Sequence, residues 1–275
     1  MDAPLSFDYL SSSELLRDMG PITLDEMRSV RLMNRIDTKY VISDEEVITL
    51  LGQAAERGYR VQTIAGRRVA RYNTLYFDTA ERAMYLAHHN RQLKRQKIRT
   101  RQYVESGICF LEIKNKSNRG RTHKLRVEIG HDEMSYFRGN DKAMNLFEEH
   151  SWHDLASLSP ALATRFVRIT LVNAELTERV TIDTNLRYKD LRSGRSGEIR
   201  GMAIVEIKQE GSCDSAAKQI LGQMRIVPMK ISKYCLGTAL TVEGIKRNRM
   251  KEKLRAIEKR IGYGRVTTNN ATTNN

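Results

Sequence analysis

The residues of this chain with the most chemical potential are charged, and they recur at alternate positions. Arg99 and Arg101 form one such set, and Glu112, Lys114 and Lys116 another. Lys124, Arg126 and Glu128 follow, then Arg179 with Asp183, then Glu206, Lys208 and Glu210. A two-residue period puts each set on one face of a strand. The opposite faces are apolar, with Leu111 and Ile113, Leu125 and Val127, Val180 and Ile182, and Val205 and Ile207. In an ordinary half-buried sheet the polar face is simply wet. Here it is almost wholly Lys, Arg and Glu, and a sheet that closed would turn it inward. A small barrel of cations is costly to assemble unless a hydrated polyanion fills it. Carboxylates among those cations suit a divalent ion that bridges phosphate oxygens. Glu112 and Glu206 are the candidates, with internal ion pairing as the competing reading for each. His88, His89 and His123 read as surface or strand-end residues, and no Ser-His or His-Asp pairing is legible.

The elements that must carry these residues are mainly strands. Arg35–Ile42 reads as a strand with Arg35, Asp37 and Lys39 on one face. From Arg68 onward, Val69–Asp78, Lys97–Val104, Ile108–Asn115, His123–Ile129, Phe166–Asn173, Arg179–Leu186 and Met202–Gln209 are short runs rich in β-branched and aromatic residues. Hairpin-length connections between them predict an antiparallel sheet of about eight strands. Capping boxes at Thr23–Glu26 and Ser43–Glu46 start two helices, the second stopping at Gly58. Further helices are predicted over Asp141–His150, Ser215–Met224 and Tyr234–Ile261. The Thr/Asn-rich end, Val266–Asn275, reads as a disordered tail.

Composition narrows the function classes. The 275 residues carry 47 Lys+Arg against 33 Asp+Glu, a formal charge of +14. The excess is local: Arg91–Arg126 holds a net +10 and Lys246–Arg265 a net +7, so the remainder is slightly acidic. That distribution implies anion-binding surfaces. For Lys246–Arg265 the plainer reading is the solvated face of a helix. A nucleic-acid groove would interleave basic residues with exposed aromatics for stacking, and the aromatics here fit core packing as well, so nucleic acid is disfavoured. Cys109, Cys213 and Cys235 form no CxxC pair, which predicts reduced, mostly buried thiols and a cytoplasmic location. No apolar stretch is long enough to cross a bilayer and the first residues lack a signal pattern.

Taken in order, Arg35-Ile-Asp-Thr-Lys39-Tyr, Tyr76-Phe-Asp-Thr79, Lys97-Ile-Arg99-Thr-Arg101-Gln-Tyr103, Phe110-Leu-Glu112-Ile-Lys114-Asn-Lys116, Arg168-Ile-Thr, Arg179-Val-Thr-Ile-Asp183, Val205-Glu206-Ile-Lys208 and Met229-Lys230-Ile-Ser-Lys233-Tyr234 resemble the catalytic domain of the vacuolar transporter chaperone (VTC) family, a polyphosphate polymerase of the triphosphate tunnel metalloenzyme superfamily. The resemblance runs from about residue 30 to 240. It implies an α+β fold with a closed antiparallel β-tunnel and flanking helices. The implied domains are 1–240 as the tunnel and 241–275 as a basic helix and tail. It also implies transfer of the ATP γ-phosphate to a growing polyphosphate chain, with Mn or Mg as cofactor. The resemblance assigns Lys39, Arg99, Arg101, Lys114, Arg168 and Arg179 to catalysis. Lys124, Lys208, Lys230 and Lys233 would hold substrate phosphates, with Arg121 or Arg126 as alternatives to Lys124. Glu206 would be the metal ligand. The wider superfamily carries Glu-x-Glu-x-Lys on its first strand, where this chain has Arg35, Asp37 and Lys39. That departure favours the polymerase branch over triphosphatases and class IV adenylate cyclases. The inositol-pyrophosphate-sensing SPX domain and membrane helices of eukaryotic members are not seen in this sequence, so a separate membrane or regulatory partner could dock through Lys246–Arg265. A tunnel hydrolase of tri- or polyphosphate and a non-catalytic polyanion binder are the rival functions.

Overall fold

The computed structural model describes residues 5–28, 35–211 and 214–269; Cys213, the side chain of Arg35 and the last residues of the expected tail lie outside them. Among the described residues the strands are β1 (Pro21–Ile22), β2 (Arg35–Ser43), β3 (Arg60–Gln62), β4 (Ala70–Asp78), β5 (Arg95–Tyr103), β6 (Ile108–Lys116), β7 (Thr122–Ile129), β8 (Ser159–Val172), β9 (Glu178–Asp190), β10 (Ser196–Ile199), β11 (Met202–Glu210) and β12 (Val266–Asn269). The helices are α1 (Phe7–Ser12), α2 (Glu14–Asp18), α3 (Leu24–Arg28), α4 (Asp44–Glu56), α5 (Ala83–His89), α6 (Asp141–His150), α7 (Ala216–Gln223), α8 (Lys233–Thr241) and α9 (Asn248–Ile261). All the strands join one sheet, antiparallel apart from the β1–β3 pair. Its long strands run in the order β7-β6-β5-β4-β8-β9-β11-β2.

Alternation decides which face goes where. The apolar faces of β2, β8, β9 and β11 form one core: Tyr40, Ile42, Ile169, Leu171, Ile182, Val205 and Ile207 pack with Val47, Leu50, Leu51 and Ala54 of α4 and with α7. Those four α4 residues repeat at helical spacing, and burying each of the larger ones is worth about 1.5–3 kcal/mol. Ser43 starts α4 with the expected capping box, and Gly58 just beyond it adopts a left-handed φ of 73°. On the other flank Ile98, Leu111 and Ile113 pack with Phe137 and with Ala143 and Phe147 of α6. α4, α6 and α7 thus cover the outside of the sheet, while α8 packs on the inner face, where Tyr234, Leu236 and Ala239 join Val41, Tyr72, Leu162, Phe166 and Ile204 in a further apolar cluster beside the charged rows.

Three expectations change. The sheet is not closed: among the described residues β2 and β7 share no ladder. The Lys39 carbonyl on β2 instead accepts the Met229 N–H at 2.8 Å, so the segment before α8 lies along that edge. The single helix expected over Tyr234–Ile261 is two, because Val242 turns extended and Gly244 takes a φ of 67° before α9 begins. Val266–Asn269 is an edge strand paired with β10, since its β-branched residues complete a ladder that β10 leaves open.

Candidate functional site

Cross-strand register assembles the charged rows. Lys97 of β5 lies beside Lys114 of β6, which lies beside Lys124 of β7; one step along, Arg99 pairs with Glu112. At the other end of the sheet Lys39 pairs with Glu206, and Lys208 sits between Asp37 and Arg179. Arg168 and Asp183 meet across β8 and β9. Burial lowers the Lys114 ammonium from its ordinary value, and Glu206, Lys39, Arg99 and Asp37 are close enough to act on it. β6 therefore faces β2 and β11 across a bore. Lys114 is exposed and lines one cavity with Asp37, Thr38 and Lys39 of β2.

Within the bore each of three carboxylates holds two cations. Glu112, 1% exposed, accepts from Arg99 Nε at 2.7 Å and meets Lys124 Nζ at 2.5 Å. Asp183 takes a bidentate pair from Arg168, Nε at 2.6 Å and Nη2 at 2.8 Å, and a further contact from Lys233. Glu206 Oε1 lies 2.7 Å from Lys39 Nζ and 3.7 Å from Lys208 Nζ. Burial would raise all three carboxyls, but the surrounding cations prevail: Arg168 and Lys233 hold Asp183 down to about 2, and Glu112 and Glu206 lie well below the usual carboxylate range. Burial lowers Lys124 and Lys208 to about 8, with Glu112 and Glu206 respectively opposing the shift.

Beneath the cations is an aromatic floor. Tyr72 and Phe166 stack at 5.1 Å. The Arg168 guanidinium stands 4.8 Å from the Tyr72 ring and Lys233 4.7 Å from Phe166, while Arg101 lies 5.5 Å and 5.6 Å from the two. Ring faces attract cations and leave their N–H groups free to point into the bore. Arg101 Nε donates to Thr74 Oγ1 at 3.0 Å. Tyr76 stacks on Tyr234 of α8 at 4.8 Å and receives a hydrogen bond from Arg99 at 3.3 Å.

The site thus gathers Lys39, Arg99, Arg101, Lys114, Lys124, Arg168, Arg179, Lys208, Lys233 and Glu206 around one space. Lys230 stands apart, exposed on the segment before α8 at the mouth. Of the alternatives to Lys124, Arg126 lies 4.5 Å above the Phe110 ring and Arg121 is exposed in the turn before β7. Sequence reasoning left out Lys97, whose Nζ donates to Ser232 Oγ at 3.0 Å; it continues the Arg99–Arg101 series and was findable by the same period. Two of the three histidines differ from expectation. His123 is exposed near a strand end, but His88 and His89 lie on α5 against a cavity of about 830 Å³ at the mouth, and His89 Nε2 is 2.7 Å from Asn248 Oδ1. That short helix carries no strong periodic signal.

A divalent ion fits this lining in one way. Among the described residues there is no group of three or more His, Cys, Asp or Glu side chains that could hold a metal. Glu206 could offer one carboxylate, with Asp37 on the adjacent strand. Mg²⁺ retains several waters and commonly takes one or two carboxylates with the rest from phosphate. The donor set therefore suits a metal that arrives on a phosphate ligand rather than a resident one.

Among solved structures, the chain is similar to a candidate adenylyl cyclase from Hippeastrum described as having a dominant triphosphatase activity, with 16% identity, TM-score 0.46, and coverage of 76% of this chain and 98% of that one. A candidate adenylate cyclase from Vibrio parahaemolyticus gives 11% identity and TM-score 0.41, covering 72% and 94%. A conserved hypothetical protein from Pyrococcus furiosus gives 12% and 0.39, covering 73% and 99%. No curated protein matches the chain. No helix among the described residues is long and apolar enough to cross a membrane. The model of the VTC domain matches residues 34–242, well over half of the sequence, and the chain belongs to that family.

Proposed function

We propose that the chain is an ATP-dependent inorganic polyphosphate polymerase, with the catalytic unit in residues 1–240 and a basic extension after it whose helix α9 borders the mouth. The observation that carries this reading is the lining itself. Cations outnumber carboxylates there, and Glu112, Asp183 and Glu206 are each already shared between two of them. The surplus charge calls for an incoming polyanion, and a phosphate chain supplies charge at every unit along a narrow path. Membership of the VTC domain family supports the same reading. Free, buried thiols at Cys109 and Cys235 are in keeping with a reducing, cytoplasmic compartment.

In the mechanism, Arg99, Arg101 and Arg168 hold the ATP phosphates, with the aromatic floor and the carboxylate pairs fixing their direction. Lys39, Lys114, Arg179 and Lys208 hold the acceptor chain so that a terminal phosphate oxygen faces the γ-phosphorus. That oxygen bonds to phosphorus as the β–γ bridging bond breaks, and its electron pair leaves with ADP. An ionised phosphate needs no general base, so positioning and charge neutralisation provide the catalysis. A divalent ion bound with the nucleotide, near Glu206, would neutralise phosphate charge.

The deciding assay incubates the purified chain with ATP and Mn²⁺ or Mg²⁺, then stains gels for long polyphosphate and measures free phosphate. Long polymer supports the proposal. Free phosphate alone would mean a hydrolase, and neither product would mean a polyanion binder. Arg99→Ala with Arg101→Ala is expected to abolish synthesis and leave the fold intact, since Lys124 still pairs with Glu112. Unfolding of that double variant would assign the arginines to structure.

A further inference from the structure

The cavity at the mouth is walled by more than the bore. Lys97, Lys114 and Lys116 enter it from β5 and β6, and Asp37 and Lys39 from β2. The outer wall comes from Arg91 and Arg95 beside α5 and from Arg249 and Lys253 on α9. α9 lies wholly beyond residues 34–242, so its share of this wall, Arg249 and Lys253, is an addition to the matched family region, whereas Arg91 and Arg95 lie within it. It is firmly seated: Met250, Ile257 and Ile261 are buried against the α8 core. The Lys253 ammonium donates to the Lys230 carbonyl, which uses one of its three N–H donors and fixes it at the rim. Burial together with Lys97, Arg95, Lys253 and Lys116 pushes the His88 imidazole far below its ordinary value, so these cations converge on one spot.

At about 830 Å³ the cavity is large enough to take several phosphate units. Among the described residues no Phe, Tyr or Trp lines it. The aromatic rings in its lining are the imidazoles of His88 and His89, the latter already stacked on Tyr85, so the large exposed rings that base stacking uses are missing where the cations are densest, which favours a bare phosphate chain over a nucleic acid. Lys97 joins this space to the bore, lying between Arg99 in its own strand and Ser232 at the mouth.

We propose that this vestibule is a second polyphosphate-binding segment, in which Arg249 and Lys253 of α9 grip chains long enough to extend beyond the bore. The inference rests on the polyphosphate reading above and adds a length preference: a triphosphate fills the bore alone, and a long chain fills both. Binding of each added phosphate-contacting cation should also steepen the salt dependence of affinity.

The test measures binding of the full chain to inorganic triphosphate, to long-chain polyphosphate and to a single-stranded oligonucleotide, at several salt concentrations. For Arg249→Ala with Lys253→Ala, long-chain affinity is expected to fall at least tenfold further than triphosphate affinity, with a shallower salt slope. Lys251→Ala with Arg255→Ala removes the same charge from exposed positions of α9 outside the cavity lining and is expected to leave long-chain affinity within about twofold. Equal losses for both ligands, no loss, or an equal loss in the outer-face variant would overturn the proposal, as would oligonucleotide binding as tight as polyphosphate. Thermal melts of both variants separate unfolding from lost contacts. The bore variant Arg99→Ala with Arg101→Ala serves as the separate arm. If it fails to weaken triphosphate binding, the bore reading falls; if it weakens binding while the α9 variant behaves as wild type, only the vestibule falls.

Discussion

Replacing Asp183 with asparagine keeps the shape of a buried side chain and deletes the charge that Arg168 and Lys233 share. The carboxylate is 2% exposed and its partners 15% and 14%, so solvent screens the loss weakly. Breaking a buried pair on one side costs about 3–5 kcal/mol, because the remaining charge is left uncompensated. For a chain of this size that corresponds to a fall in Tm of roughly 6–20 °C. The second half of the expectation is more telling. A polyanion in the bore would supply the missing negative charge, so inorganic triphosphate should restore stability. In the wild type a ligand at a hundred times its Kd adds about 2.7 kcal/mol; in Asp183→Asn the gain should be larger, since binding also relieves the repulsion between Arg168 and Lys233. Differential scanning fluorimetry with and without triphosphate reads both effects. A variant that melts with the wild type, or that gains less from triphosphate than the wild type does, would refute the view that the carboxylate stands in for a bound phosphate.

Other perturbations test other parts of the lining. Because Lys124 and Lys208 lie near 8 in the folded protein, their ammonium charge is lost as pH rises through that value, and triphosphate affinity should fall above it; calorimetry in buffers of different ionisation enthalpy should detect proton uptake on binding, which Lys124→Arg with Lys208→Arg should reduce. Asp183 is depressed below its unfolded value of 3.8, so its contribution to stability is complete above that pH and disappears as pH falls through about 2, giving an acid-side decline in urea midpoint that Asp183→Asn should flatten. Glu206→Gln should raise the divalent-ion concentration needed for half-maximal turnover more than it changes triphosphate binding without metal; equal effects would make Glu206 an ion-pair partner alone. Gly237→Ala should cost about 1–3 kcal/mol in urea unfolding, because the added methyl would meet the Tyr188 ring and Leu162 Cδ2, the latter at 2.8 Å.

The charged rows of β5, β6, β7 and β11 were readable because charged residues recur there at alternate positions, with Ile113, Leu125, Val127 and Ile207 between them in β6, β7 and β11; β9 showed the period more faintly, through Arg179 and Asp183 across from Val180 and Ile182. Capping boxes gave α3 and α4 for an equally local reason: Thr23 with Glu26 and Ser43 with Glu46 satisfy amides within one turn. What escaped depends on distant partners. Nothing near Val266 announces a ladder to Ser196–Ile199, and the helical pattern running from α8 into α9 hides a break at Val242 and Gly244. Tyr72 is buried, as the core-packing reading of the aromatics expects, and so is Phe166, but their second role under Arg101, Arg168 and Lys233 appears only once β4 and β8 are adjacent. The unjoined β2 edge was invisible for the same reason, since it turns on Met229 reaching Lys39.

That edge has a mechanical consequence. A barrel sealed by a continuous ladder can release a polymer only end-on, whereas here the wall beside β2 is finished by a loop and by α9. Loosening those two pieces leaves every strand pairing intact. On the polymerase reading proposed above, a long product would be free to slip out broadside, and the number of additions per encounter would be set by the strength of the clasp rather than by topological enclosure.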